Sequence, residues 1–102
     1  MEIDERGCEI VSLNSKREGI GVGSALIEAV RREAVKAGCT RLWLITTNDN
    51  LKAVRFYQKH GFTLAALHRN AIEESRRLKP EIPLFGFDGI PIRDEIEMEM
   101  EL

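Results

Sequence analysis

The residues with the clearest chemical meaning are three glycines at alternate positions in the stretch EGIGVGSALIEAV, from Glu18 to Val30. They run directly into residues with the spacing of a one-sided helix. The first turn of a helix has unpaired N–H groups and a partial positive charge, and glycines let a ligand approach the backbone closely. Three such glycines cost too much backbone entropy to favour a plain turn. The pattern therefore predicts a phosphate-binding loop.

Two common phosphate motifs do not fit this loop. A nucleoside-triphosphate loop ends in Gly-Lys-Ser/Thr, whereas Gly23 is followed by Ser24 and then by alanine. A dinucleotide loop needs glycine or alanine five positions after its first glycine. Counting from Gly19 that place holds Ser24, and counting from Gly21 it holds Leu26. The acidic residue expected at the end of the next strand is also absent, because that strand ends in threonines.

Strands and helices that would position the loop follow from the apolar periodicity. The last segment alternates glutamate with apolar residues, which indicates a strand with one solvated face. The run TRLWLITT is apolar and β-branched throughout, as in a strand covered on both faces. Gly38 and Gly61 are natural helix stops. We predict strands over residues 8–15, 40–47, 62–67 and 94–102, and helices over residues 24–37 and 51–60.

The segment from Asn70 to Arg93 is the least regular part of the sequence. Its first half, AIEESRRL, favours a short helix that ends before Pro80. Its second half, KPEIPLFGFDGIPI, carries three prolines and two glycines and cannot be regular for long. Long irregular segments in small domains are often lids or partner surfaces.

Two motifs occur together in one known family. The first is Gly21-Val22-Gly23 at the start of a helix, and the second is NLKAVRFYQKHGF, from Asn50 to Phe62. The chain thereby resembles the GNAT superfamily of acetyl-CoA-dependent N-acetyltransferases, with its Arg/Gln-x-x-Gly-x-Gly/Ala and Asn-x-x-Ala-x-x-x-Tyr-x-x-x-Gly-Phe motifs. The resemblance covers essentially the whole chain. It departs at Glu18, which replaces the family's Arg or Gln, so Lys16 or Arg17 is expected to supply the positive charge.

The resemblance implies the fold. We expect an α/β (α+β) protein, a mixed sheet with flanking helices that corresponds to the C-terminal part of the GNAT fold, as one domain over residues 1–102. Only Met1 to Gly7 precede the first predicted strand, so the family's N-terminal strand and helices are expected to be missing. At most, MEID is the end of the strand that precedes it in the family. The strand edge from Glu9 to Leu13 would then be open. Open edges invite pairing with another chain, which predicts a homodimer or larger oligomer.

The resemblance also implies the site. Backbone N–H groups of the glycine loop would hold the coenzyme A pyrophosphate, and the edge of the first strand would pair with the pantetheine. Tyr57 would be the general acid, although the residue alone is explained equally well as a core tyrosine. Glu9 and His68 are candidates for the base. The residues assigned to cofactor binding are Leu13, Arg17, Gly19, Ile20, Gly21, Val22, Gly23, Ser24 and Asn50.

The implied function is an N-acetyltransferase that moves an acetyl group from acetyl-CoA to a primary amine by direct attack. The alternative is a non-catalytic coenzyme A-binding module, or a shortened remnant that acts only within an oligomer. By the resemblance, the irregular segment would partly select the acceptor amine. Glu73, Glu74 and Asp88 are candidates to attract a cation, but they are better explained as surface carboxylates. The identity of the amine does not follow from the sequence.

Composition excludes several other classes of function. The formal net charge is −2 and 43% of the residues are apolar, which argues against a nucleic-acid surface. No apolar run is long enough for a membrane span and the N-terminus is polar, so we expect a cytoplasmic protein. The two histidines and two cysteines lack the spacing of a metal site. We expect Cys8 and Cys39 to be buried free thiols in a reducing cytosol.

Overall fold

Alternating and helical apolar patterns succeed one another along the chain and form the strands and helices of a layered structure. The structure is a computed structural model that describes residues 2–4, 7–10 and 22–102. The strands in this part of the chain are β1 (Glu2–Asp4), β2 (Gly7–Ile10), β3 (Arg41–Thr47), β4 (Thr63–His68) and β5 (Glu95–Glu101), and the helices are α1 (Val22–Lys36), α2 (Leu51–Lys59) and α3 (Ala71–Leu78).

The strands form one mixed sheet in the order β1-β2-β3-β5-β4. Strands β2 and β3 are parallel, with Ile10 beside Leu44, and the other neighbouring pairs are antiparallel. A parallel pair needs a long crossover connection, and α1 lies within that connection. The mixed sheet with flanking helices is therefore confirmed, and the predicted elements match the observed ones to within about two residues where the chain is described.

One face of the sheet carries the apolar core. Leu42 and Leu44 of β3 lie beside Met100 and Met98 of β5, so the apolar residues of the two strands point to the same side. The buried residues of this core come from the sheet, from α1 and from the turn after α2; they are Cys8, Ile10, Ile27, Ala34, Leu42, Leu44, Phe62 and Met98.

The opposite face of the sheet is covered by long polar side chains rather than by solvent alone. Trp43 is only 2% exposed there, and the Arg41 guanidinium lies 5.4 Å from the centre of its ring. Arg41 in turn forms ion pairs with Glu97 and Glu99. Burial alone would raise the pKa of Glu97, but hydrogen bonds from His68 and Arg41 outweigh it and hold that pKa below its ordinary value. The glutamate face of β5 is thus half-buried, in contrast to the solvated face that we predicted.

The helices begin and end where the sequence places caps. The Asn50 side chain accepts a hydrogen bond from the Ala53 N–H at 3.2 Å and caps α2. Gly38 and Gly61 follow α1 and α2 with φ angles of +82° and +99°, a conformation that glycine adopts without steric cost. No helix in the described part of the chain is long and apolar enough to cross a membrane.

The segment between β4 and β5 starts as the predicted short helix and then forms a hairpin. Phe85 and Pro91 bridge its two arms, and the Gly86 N–H donates to the Ile90 carbonyl at 2.9 Å. A 3₁₀ turn, Phe87–Gly89, closes the hairpin. We call residues 84–91 the tip hairpin.

The prediction of free cysteines is wrong. Cys8 and Cys39 form a disulfide, with their Cα atoms 6.2 Å apart. The cause lies in the topology: Cys8 is in β2 beside Leu42 of β3, and Cys39 lies just before β3 begins. Parallel pairing therefore brings the two cysteines to the same end of the sheet, although 31 positions separate them.

The predicted open edge needs a correction as well. Strand β1 pairs with β2, with Glu2 beside Glu9 and Ile3 beside Cys8, so that edge of β2 is occupied. The remainder of the predicted edge, including Leu13, lies outside the described residues. The outer strands of the described sheet are β1 and β4.

We predict that Cys39→Ser lowers the free energy of unfolding by about 2–4 kcal/mol, because the disulfide closes a loop of about 30 residues that the unfolded chain would otherwise leave free. Urea denaturation without reductant measures this change. The unmutated protein in reductant is the control and should match the variant. An unfolding midpoint that reductant does not move would contradict the prediction.

Candidate active site

Of the residues predicted to bind the cofactor, four are described. Val22, Gly23 and Ser24 form the first turn of α1, and Asn50 caps α2. The others lie outside the described residues, and their assignment stays a prediction; they are Leu13, Arg17, Gly19, Ile20 and Gly21.

The last glycine of the loop packs against α2. A Cβ atom added to Gly23 would lie 2.6 Å from Cζ of Phe56, closer than side-chain carbon atoms approach. The Phe56 ring is held in turn by Tyr57, with ring centres 5.3 Å apart, and by His60, with centres 4.3 Å apart. A larger residue at position 23 would therefore push the two helices apart. Sequence analysis attributed this glycine to a ligand and did not foresee its packing role.

A second contact joins the same two helix ends. The Ser24 Oγ lies 2.5 Å from Nε2 of His60, and Nδ1 of His60 lies 2.7 Å from the Phe56 carbonyl oxygen. In a neutral imidazole with its proton on Nδ1, that nitrogen donates to the carbonyl and Nε2 accepts from the serine hydroxyl. The last turn of α2 therefore holds the first turn of α1. Sequence analysis missed His60, because nothing in its spacing indicates that it meets Ser24.

Tyr57 lies on the core side of α2, next to this contact. Its ring packs edge-to-face on Phe56 and on Phe62, the latter with ring centres 5.4 Å apart. The side chain is half-buried against the main core. These two aromatic neighbours fix the orientation of the ring against the core.

The two candidates for the base lie on the other face of the sheet. Glu9 is paired with Trp43, on the face that the helices do not cover. His68 is on that face too, where its Nε2 lies 2.9 Å from Oε1 of Glu97. The sheet therefore lies between these two side chains and Tyr57, and the structure does not bring the three together.

A polar network fixes the irregular segment at the carboxyl end of β3. The Asn48 Oδ1 accepts hydrogen bonds from the N–H groups of Arg93 and Asp94, both at 3.0 Å. Its Nδ2 donates to the Pro91 carbonyl at 2.8 Å, and its own N–H donates to the Asp94 carbonyl at 3.0 Å. One asparagine thus ties the end of β3 to the residues that lead into β5.

Asp94 completes this network as a buried carboxylate with partners. It accepts from the Asn70 N–H at 2.8 Å, and from Arg93 at 2.9 and 3.0 Å. The hydrogen bonds from Arg93, and next the one from Asn70, hold the pKa of Asp94 below its ordinary value. On the other side of the segment Arg76 donates to the carbonyls of Pro83 and Ile92.

From the sequence, Asn48 is only a possible helix cap, and Arg76 and Asp94 do not stand out. One signal was available, because polar residues directly after a buried strand are well placed to bond neighbouring loops. Several of their partners are backbone groups 16 to 46 positions away, which no local pattern specifies.

The described chain has a mixed sheet, a helix α1 that carries a glycine in its first turn and a helix α2 that carries a tyrosine. These features are typical of the acyl-CoA N-acyltransferase fold. An acetyltransferase of Elizabethkingia anophelis, solved with acetyl-CoA bound, superposes with a TM-score of 0.78 at 25% identity, over 92% of this chain and 60% of that one.

Sequence comparison gives the family directly. Residues 3–62 match the model of the acetyltransferase (GNAT) family. The Bacillus subtilis protein YdhI is 54% identical over 94 residues, which are 92% of this chain and 59% of that protein. YxbD of the same species is 46% identical over 97% of this chain and 62% of that protein. The chain belongs to the GNAT family of acetyltransferases. It spans about three-fifths of the length of these two relatives.

We predict that Asp94→Asn makes stability less sensitive to acid. A pKa lowered by folding contributes stability that is complete above its ordinary value of 3.8 and is lost as the pH falls through the folded value. Urea denaturation between about pH 6 and pH 2 should show a shallower decline for the variant, together with a lower plateau near pH 6. Glu73→Gln is the control, because that side chain is 65% exposed and should leave the slope unchanged. Equal slopes for all three proteins would contradict this assignment.

Proposed function

We propose that the protein is an N-acetyltransferase that moves an acetyl group from acetyl-CoA to a primary amine, with Tyr57 as the general acid. Membership of the GNAT family supports acetyl transfer, and a relative of the same fold binds acetyl-CoA. The proposal includes the glycine loop as the pyrophosphate site.

The contact between α1 and α2 is the observation that carries the proposal. The proposed pyrophosphate site is the start of α1, and the proposed acid is on α2. Gly23 packs on Phe56, and Ser24 is bonded to His60, so the two helix ends form one unit. Tyr57 is part of that unit through its ring contact with Phe56. A cofactor bound at the start of α1 would therefore lie against the helix that carries the acid.

The reaction requires one bond to form and one to break. The neutral amine attacks the thioester carbonyl carbon, the C–N bond forms, and the C–S bond breaks as the thiolate leaves. The Tyr57 hydroxyl gives its proton to the leaving sulfur, and a base takes the proton lost by the amine. Because Glu9 and His68 lie across the sheet from Tyr57, we assign neither of them as this base. We propose that water accepts the proton of the amine.

A second candidate is a coenzyme A-binding module that works only in a homo-oligomer. Strand β4 offers an edge for a second copy, since Leu64 and Leu67 are 58% and 63% exposed. This candidate differs from the first in that it binds coenzyme A without releasing thiol.

Acetyl-CoA is expected to raise the thermal midpoint of the protein. A ligand at about 100 times its dissociation constant stabilises the folded state by about 2.7 kcal/mol. Coenzyme A should act similarly, while adenosine, which lacks the pyrophosphate, should act much less. A folded sample in which neither acetyl-CoA nor coenzyme A moves the midpoint would refute the cofactor site.

Tyr57→Phe is expected to lower kcat on the order of 10²-fold, the lower range for loss of general acid catalysis, while the acetyl-CoA thermal shift stays nearly the same. The phenylalanine ring keeps the contacts with Phe56 and Phe62, so the fold should not change. Thiol release with an amine substrate gives the rate. Unchanged turnover would show that Tyr57 is not the acid.

A further inference from the structure

Strand β4 is an outer strand of the described sheet, so one of its edges faces no other strand of that sheet. Within the described residues it pairs only with β5. An edge of this kind can bind a strand of another chain through backbone hydrogen bonds. Proteins often prevent such pairing with prolines or charged side chains, but between Thr63 and His68 the sequence has no proline, lysine, arginine or carboxylate.

The leucines of β4 are exposed although they lie on the core face of the sheet. Leu64 lies beside Met98 of β5, and Leu67 lies beside Ile96. Met98 is fully buried, whereas Leu64 and Leu67 are 58% and 63% exposed, so the described helices do not cover this margin of the sheet. The core therefore ends along β4 in an apolar strip, whose burial against a partner would be favourable.

A register shift in β4 brings the two leucines to the same face. Residues three apart in a regular strand point to opposite faces. Between Leu64 and Ala66, however, two residues of β4 lie opposite one residue of β5, so Leu64 and Leu67 both fall beside apolar residues. The residues at the two ends of the strand, Thr63 and His68, lie beside glutamates of β5 and therefore on the polar face.

The order of residues in β4 is symmetric about the centre of the strand. Read in either direction, it gives a polar residue, leucine, alanine, alanine, leucine and a polar residue. When two copies of β4 are placed antiparallel about a central two-fold axis, Leu64 of one copy faces Leu67 of the other. Thr63 then faces His68, the alanines meet at the axis, and no like charges are opposed. The strand is therefore complementary to itself.

The other outer strand is less suited to a second copy. β1 has three residues, Glu2–Asp4, and two of them are acidic. Pairing two copies of β1 would bring like charges together, which destabilises a strand pair. Of the two outer strands of the described sheet, β4 is therefore the one that suits self-association.

We propose that two copies of this chain pair through β4 in an antiparallel, two-fold arrangement, so that their sheets become one continuous sheet. Backbone hydrogen bonds between the two β4 strands would fix the alignment. Four leucines, Leu64 and Leu67 from each copy, would bury one another on the core face. The inference goes beyond the proposed function, because the pairing needs neither acetyl-CoA nor an amine.

Sedimentation velocity between about 1 and about 100 µM tests the pairing in the whole chain without cofactor. The expected species is a dimer, with twice the chain mass of 11.6 kDa. Leu67→Glu places a charge in each half of the apolar strip and should weaken association at least about 100-fold. Leu78→Glu is the matched control, because Leu78 is 86% exposed on α3 and its replacement should change association less than about twofold. Circular dichroism should show the same fold in both variants.

Cysteine cross-linking tests the alignment of the two strands. Residues directly opposite each other in an antiparallel pair have Cα atoms about 4.5–5.5 Å apart, a distance that a disulfide spans. An oxidised mixture of Leu64→Cys and Leu67→Cys chains should therefore give a covalent dimer on non-reducing gels. Either variant alone should give much less, because its new side chain faces a leucine. The native cysteines, Cys8 and Cys39, are bonded to each other and should not take part.

Three results would overturn the pairing. The first is a monomer at every concentration. The second is a dimer that Leu67→Glu leaves intact, since the copies would then meet through another surface. The third is a cross-link that forms as readily in one cysteine variant alone as in the mixture. None of these measurements uses acetyl-CoA, so the pairing can stand while the proposed function fails. Conversely, thiol release by a protein that stays monomeric would support the acetyltransferase without the pairing.

Discussion

The hydrogen bonds of the Asn48 side-chain amide are the interactions on which the arrangement of the sheet and the tip hairpin depends. Both of its polar atoms are used, by the N–H groups of Arg93 and Asp94 and by the Pro91 carbonyl. Each such bond contributes about 1 kcal/mol net, but a missing partner would leave several groups unsatisfied at once. The amide therefore does more than add stability. It sets where the chain re-enters the sheet and brings the tip hairpin over the end of β3.

Much of the fold was accessible from the sequence. The alternation in β5, the continuous apolar run of β3 and the stops at Gly38 and Gly61 are local signals, and each predicted its element. The disulfide was not accessible in this way, since Cys8 and Cys39 meet only because β2 and β3 are parallel. Strand β1 is an intermediate case. The resemblance allows MEID as the end of a preceding strand, but three residues carry too little periodicity to establish it before the pairing with β2 is known.

The residues of the candidate site also divide into those with a local sequence signal and those without one. Asn50 and Tyr57 stand in a motif with fixed spacing, so sequence alone could name them. Ser24 and His60 are 36 positions apart, so their contact depends on the tertiary packing. Gly23 shows a further difficulty. The sequence does not distinguish a glycine required for helix packing from a glycine required for a ligand.

The position of β5 has a consequence for how the protein folds. β5 lies between β3 and β4 in the sheet but follows both in the sequence. Until β5 arrives, β3 and β4 have no bond to one another, and Leu44 lacks its neighbour Met98. A nascent chain therefore carries two unpaired strand edges until synthesis passes residue 101. The sheet can therefore be completed only after β5 is available, and its non-local pairings form last.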